Sequence, residues 1–242
     1  VLLQDTRMGS AQVLNFSQYY KITGSNVVYN TSTNQNLLLW TDGLNAPRCI
    51  NIERAKTYGA NSFVEDDVSL YKKPPRKAPT VSPFTTAQVT ENAVKEKYFA
   101  FSYRYKYLDG EYSALSSFTD YQFTPSTRFN LDYATMENKS MLNIFNAYRI
   151  GFNTGDKRVT DIQICFKNPS SSMIFVIENL NKKEKGYIDS TEKTYSFSNK
   201  KIYRALPDDE LGRIFDDVPL TAKAQDFIQN RIVLVILRNN MI

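Results

Sequence analysis

The 242-residue chain contains no histidine. That absence excludes Ser-His-Asp and Cys-His catalysis, His-ligated zinc and the usual general base near neutral pH. Cysteine is almost absent too: Cys49 and Cys165 lie far apart, each in a short apolar run. No disulfide framework is implied, and both are expected as buried thiols that pack like small hydrophobes. The nine glycines form no phosphate-cradling loop. No apolar run approaches the roughly 20 residues of a transmembrane helix, so no membrane span is expected. Residues 1–10 have neither the basic n-region nor the apolar core of a signal peptide. Charge is not strongly of one sign, with 30 basic residues against 25 acidic and a net of +5. That balance is too mild for a dedicated nucleic-acid binder, although it is compatible with standing close to DNA.

Aromatics are what the chain has in quantity. Sixteen Tyr and 15 Phe bring the aromatic share to 13%, and such residues favour half-buried pleated surfaces. A mainly β fold is therefore expected. The clearest local signal is residues 98–118. Phe99, Phe101, Tyr103, Tyr105 and Tyr107 alternate with Ala100, Ser102, Arg104 and Lys106, a period of two that puts one side-chain type on each face of a strand. Asp109-Gly110 predicts a tight type I′ turn, and residues 111–116 a return strand. The reading is a hairpin with one aromatic and one wet face.

Five segments follow from the rest of the chain. Residues 1–70 read as short strands at about 26–30, 37–40 and 49–52, a propeller-like β segment. Residues 71–83 hold four prolines among Lys72, Lys73, Arg76 and Lys77 and read as a basic linker. Residues 84–128 form a first immunoglobulin- or fibronectin-like sandwich module, with strands at 85–89, 98–107, 111–116 and 118–123. Residues 129–206 form a second, with strands at 143–152, 159–167, 173–177, 194–197 and 201–205 and a solvated loop at 179–186. Residues 207–242 carry a short helical turn near 208–214, then one α-helix over 218–231, because Leu220, Ala224, Phe227 and Ile228 share a helical face.

Catalytic content is low. The adjacent pairs Asp66-Asp67, Asp208-Asp209 and Asp216-Asp217 lie near turns, where Asp caps the backbone, and neighbours in a strand point to opposite faces. Their spacing matches no calcium loop of fixed ligand order. The basic run at 72–77 could touch phosphates, but a solvated linker face explains it as well. The tyrosine stripe could form a carbohydrate platform, but such stripes are more often the buried face of a sheet. The tripeptides at Asn15, Asn30 and Asn138 fit a glycosylation pattern that arises easily by chance. No catalytic, cofactor-binding or metal-binding residue is assigned, and the chain is read as not an enzyme.

Three stretches, LLLWTDGLNAPRCINIE (37–53), FAFSYRYKYLDGEYSALSSFT (99–119) and ALPDDELGRIFDDVPLTAKAQDFIQNRIV (205–233), stand in an order that resembles the tail stabilisation or tail muzzle proteins of crAss-like, podovirus-type bacteriophages. The resemblance implies a virion structural subunit, an internal portion of a longer protein. It would work in a ring of copies at the distal tail, beside other tail proteins, where the genome leaves with weak, non-specific contact. Propeller-like segments would stand at both ends with sandwich domains inserted between them. After Arg231-Ile232-Val233 the family continues with a Tyr-Gly-Asn-type segment, whereas this chain reads LVILRNNMI. A one-base frameshift would generate that ending, and residues 234–242 would then be poorly packed. Sequencing the encoding DNA there, with no alternative frame restoring a tyrosine-rich strand, would remove the idea. The competing expectation is a carbohydrate-binding β-sandwich adhesin that uses Tyr103 and Tyr105.

Overall fold

A computed structural model describes residues 14, 16–29, 36–58, 63–125, 130–211, 213, 218–228 and 231–236. The fold is mainly β, in two compact units. One unit joins the two ends of the chain, Val1–Tyr71 and Asp217–Ile242, and the other is the inserted stretch Lys72–Asp216. In chain order the first unit contributes β1 (Gly24–Val28), β2 (Leu37–Thr41), β3 (Arg48–Asn51) and α1 (Ile52–Ala55). The second contributes β4 (Thr80–Phe84), β5 (Ala100–Tyr107), β6 (Leu131–Asp132), β7 (Glu137–Asn138), β8 (Ala147–Asn153), β9 (Val159–Lys167), β10 (Ile174–Asn181), α2 (Lys182–Lys185), β11 (Glu192–Phe197), β12 (Arg204–Ala205) and α3 (Asp208–Leu211). The first unit resumes with β13 (Ala224–Ile228) and β14 (Arg231–Val235).

In the first unit β1, β2 and β3 form an antiparallel sheet, and β13 pairs with β14. Gln225 ties the two pieces of chain together: its amide donates to Asn26 Oδ1 at 2.9 Å and to the Leu39 carbonyl at 3.0 Å. Gly24 lies so close that a Cβ there would meet Gln225 Cγ at 2.8 Å. Trp40, Ile50, Phe63, Val68 and Leu14 form a small core. Where a helix is expected over 218–231, the described residues instead supply β13 and the start of its antiparallel partner β14. The expected apolar face does not hold, because Leu220 and Ile228 are exposed, and the β-branched run Ile232-Val233 next to it offers a strand partner that outweighs helical periodicity. A short helix does occur earlier, at α3. Leu234 and Val235 stand in register with Gln225 and Ala224, so the first residues of the suspected frameshift are paired. Residues 237–242 lie outside the described residues.

The second unit is built on two sheets, β12-β10-β9-β5 and β11-β8-β4. They share one core. Phe99, Phe101, Tyr103, Tyr105 and Tyr107 from in and beside β5 pack with Ile162, Ile164 and Phe166 of β9, and against Tyr148, Ile150 and Phe152 of β8 and Phe197 of β11. Phe99 meets Phe197 edge-on at 5.1 Å and Phe166 at 5.5 Å, a geometry that aromatic quadrupoles favour. Burying each such ring stabilises by about 1.5–3 kcal/mol relative to exposure. Strands expected of two separate modules, 84–128 and 129–206, interleave here, since β5 pairs with β9 and β4 with β8. The strand order also differs from the immunoglobulin pattern of ABED facing CFG, because β5 enters its sheet beside β9 before β8 has been laid down.

All of the expected 71–83 linker after Tyr71 belongs to this unit. Lys72, Pro75 and Pro79 are buried, and the strand expected at 85–89 lies at β4, with Pro83 opposite Tyr148. Proline is tolerated there because β4 is an edge strand. Residues 85–97 turn instead, held by Asn146, which accepts from the Thr86 N–H and donates to the Thr86 carbonyl. The expected loop at 179–186 is strand to Asn181. Then comes α2, where the Asn181 side chain accepts from the Glu184 N–H and Gly186 closes at φ 61°.

The turn after β5 is not type I′. Gly110 alone has positive φ (88°), and its N–H donates to the Tyr107 carbonyl while Tyr107 N–H donates to Glu111 O. That is a type I turn closed by a glycine bulge. Beyond it, residues 111–122 run along β5 without forming an ordinary strand. Ser113, Ser116 and Thr119 donate their N–H groups to the carbonyls of Tyr105, Tyr103 and Phe101, each at 2.9 Å. Their hydroxyls accept from the N–H groups of the same three residues at 3.2, 3.2 and 3.0 Å. Each hydroxyl also donates to the carbonyl one residue on. Three residues of this segment match two of β5, and a side-chain oxygen takes the place of a backbone carbonyl at every rung. The edge of β5 is thereby fully satisfied.

Candidate functional site

The most site-like cluster lies on the face of β5 that the alternation marks as wet. It is covered. Cys165, Ile174 and Leu206 form an apolar patch, joined by Leu115, Phe118, Val176 and Leu211. Beside it Arg104, Gln163 and Asn179 stand in one row across β5, β9 and β10. Arg104 is 3% exposed. Its Nε donates to Gln163 Oε1 at 2.7 Å, and Gln163 Nε2 donates onward to Asn179 Oδ1 at 2.7 Å. The guanidinium lies 4.2 Å from the centre of the Tyr112 ring and pairs with Glu210 of α3 at 2.5 Å. Arginine keeps its proton at all working pH and cannot serve as a base. With carboxylate, amide and ring all engaged, its role is a clamp that holds residues 111–122 and α3 against the sheet. Sequence reasoning missed it because Glu210 lies far along the chain.

A second polar cluster closes one end of the same unit. Lys72 is buried, paired with Asp109 and 5.8 Å from the Tyr107 ring. Arg158 pairs with Asp156 and lies 6.0 Å from the same ring. The buried Lys182 Nζ donates to the carbonyls of Gly155 and Asp156, and to Asp189 Oδ1 at 2.6 Å. Lys72 is therefore structural and is not held out toward phosphate. Arg76 and Lys77 are exposed, as is Lys73, whose carbonyl accepts from the Tyr107 hydroxyl.

Among the described residues the paired carboxylates are not brought together. Asp67 accepts from the Val64 N–H within the turn Glu65–Asp67. Asp208 is exposed at the start of α3, the Asp209 side chain is not described, and Asp216-Asp217 lie outside the described residues. Among the described residues no group of acidic residues or cysteines could hold a metal ion, and no helix is long and apolar enough to cross a membrane. Tyr103 is 3% exposed and Tyr105 8%, so neither offers a ring to a sugar. Asn138 accepts from the Asn130 and Ser140 N–H groups, while Asn15 and Asn30 are outside the described residues. Cys49 is half-buried and Cys165 fully buried. No protein-family model matches the chain, and no curated protein does either.

Titration follows the same geometry. Burial pushes the Cys165 thiol and the Tyr148 hydroxyl up to about 12 each. At Asp156 burial acts upward, but hydrogen bonds and charge from Arg158 outweigh it and hold the carboxyl below its ordinary value. Raised groups stabilise the fold below their unfolded pKa and lose that contribution as pH rises toward 12; depressed carboxyls lose theirs as pH falls below about 4. With no histidine, thermal stability is expected to be flat between about pH 6 and 8. It should fall above about pH 10. A melting series across that range checks both, and a clear slope near pH 6.5 would contradict the account.

Proposed function

We propose that the chain is a non-enzymatic structural subunit of a bacteriophage tail. It would work in a homo-oligomeric ring, a muzzle through which the genome is ejected, beside other tail proteins in the virion. In this reading the first unit is a propeller-like segment and the inserted unit a sandwich related to immunoglobulin- and fibronectin-like modules, with its own strand order. The observation that carries it is the threading: both ends of the chain build one β unit around an inserted β unit, the plan that the sequence resemblance implies. Mild net charge suits a lumen along which DNA slides, since many phosphate contacts would hold the genome in place. The adhesin reading loses the two tyrosines it relied on.

Electron microscopy of intact particles tests the proposal. Density for this chain is expected in a symmetric ring at the distal tail. Its absence from the tail, or glycan binding by a strictly monomeric chain, would overturn it.

A further inference from the structure

Two segments cover the second face of the sheet β12-β10-β9-β5, and they are held in different ways. Residues 111–122 are joined to β5 through the backbone, with N–H groups of Ser113, Ser116 and Thr119 on three of its carbonyls and hydroxyls returning a bond at each rung. On the other side β12 pairs with β10, and the Leu206 N–H donates to the Ile174 carbonyl at 2.8 Å. Pro207 follows, exposed and with no N–H to give. Beyond it the backbone bonds stay local: the Glu210 N–H donates to the Pro207 carbonyl and the Arg213 N–H to the Glu210 carbonyl. Among the described residues the ties from α3 to the sheet are side chains. Glu210 pairs with Arg104 at 2.5 Å, and Leu211 packs on the patch of Cys165, Ile174 and Leu206.

That difference decides which half of the cover yields first. A single helical turn has almost no stability of its own. Pro207 and Asp208 are exposed and Leu211 is half-buried, so little apolar area holds the turn down. The Glu210 side chain is partly open to water, which competes with the arginine for its carboxylate. We infer that residues 207–211 form a strap, hinged after Leu206, that opens while the rest of the inserted unit stays folded and so bares Cys165 and the Arg104 guanidinium. Local openings are drawn from segments with few buried apolar contacts and little backbone pairing, and the strap has both marks. While it is closed, Cys165 is fully buried and its thiol is pushed up to about 12, so the sulfur is neither reachable nor ionised. The inference does not depend on the tail reading.

Thiol labelling of the Cys49→Ser chain tests it, because Cys165 is then the only thiol. Iodoacetamide in excess, read by mass, is run beside hydrogen exchange on the same protein. Cys165 is expected to react under native conditions at a rate that hardly changes in dilute urea, since opening one turn exposes little surface. Glu210→Gln in the same background should react about tenfold faster, with exchange at the β9 amides unchanged. The Ser113 and Ser116 amides, which belong to the other half of the cover, should stay protected. If Cys165 does not react, or reacts only with the steep urea dependence of global unfolding, there is no strap. If Ser113 and Ser116 exchange as fast as Cys165 labels, the other half opens and the inference fails. It fails too if Glu210→Gln speeds labelling and β9 exchange by the same factor, because the ion pair then holds the whole unit.

Discussion

Arg104→Met is expected to destabilise the inserted unit by about 3 kcal/mol, the low end of what breaking a buried ion pair costs. The methionine keeps the aliphatic stem against the sheet, so packing loss is small. What is lost is the donor to Gln163, the partner of Glu210 and the cation over Tyr112. Glu210 is 29% exposed at its side chain and can turn toward water, which keeps the loss from the upper end. The paired variant Arg104→Met/Glu210→Met should recover more than half of it, because two apolar side chains leave no buried charge alone. Urea unfolding of the three chains measures this. A single variant within about 0.5 kcal/mol of wild type, the range of ordinary surface substitutions, would mean that the clamp holds nothing.

The larger effect is expected from the hydroxyls along β5. Ser113→Ala, Ser116→Ala and Thr119→Val each leave one backbone N–H of β5 without its acceptor, at about 1–3 kcal/mol apiece. Ser116 should be the most costly, because Ser102 also bonds to it, through both its hydroxyl and its carbonyl. Together the three losses reach the scale of a whole domain's stability, roughly 5–15 kcal/mol. The triple variant should therefore lose cooperative unfolding of the inserted unit. Thr119→Ser is the matching control, since it keeps the hydroxyl. Hydrogen exchange at Phe101, Tyr103 and Tyr105 reads the rungs one at a time. Unchanged protection in the triple variant would show that the hydroxyls are incidental.

Those two devices also show where sequence reading reached and where it stopped. The period-two aromatics of β5 and the span of β9 are local patterns with strong burial behind them, and both strands are where the alternation puts them. The covered second face was not legible, because its cover comes from residues 111–122 and from α3, about a hundred residues later. The hydroxyl spacing at 113, 116 and 119 was visible but belongs to neither the helical nor the strand period. At 218–231 four apolar residues fell into helical phase, and tertiary pairing overrode them. At 71–83 proline density suggested a linker, although an edge strand accommodates proline without penalty. Of the candidate site only the position of Arg104 on the second face of β5 was legible; its clamp depends on contacts that no spacing announces.

The insertion has a thermodynamic consequence. While the stretch from residue 72 to 216 is folded, the two halves of the first unit enter it already tethered. Unfold that stretch and they must close a flexible loop of the same length, which costs roughly 4 kcal/mol of chain entropy. A small core around Trp40 and Ile50 has little margin to absorb such a loss. Damage at Arg104 or along the hydroxyl rungs should therefore be felt by residues that touch neither, and the first unit's melting temperature should follow the integrity of a structure it merely encloses in sequence.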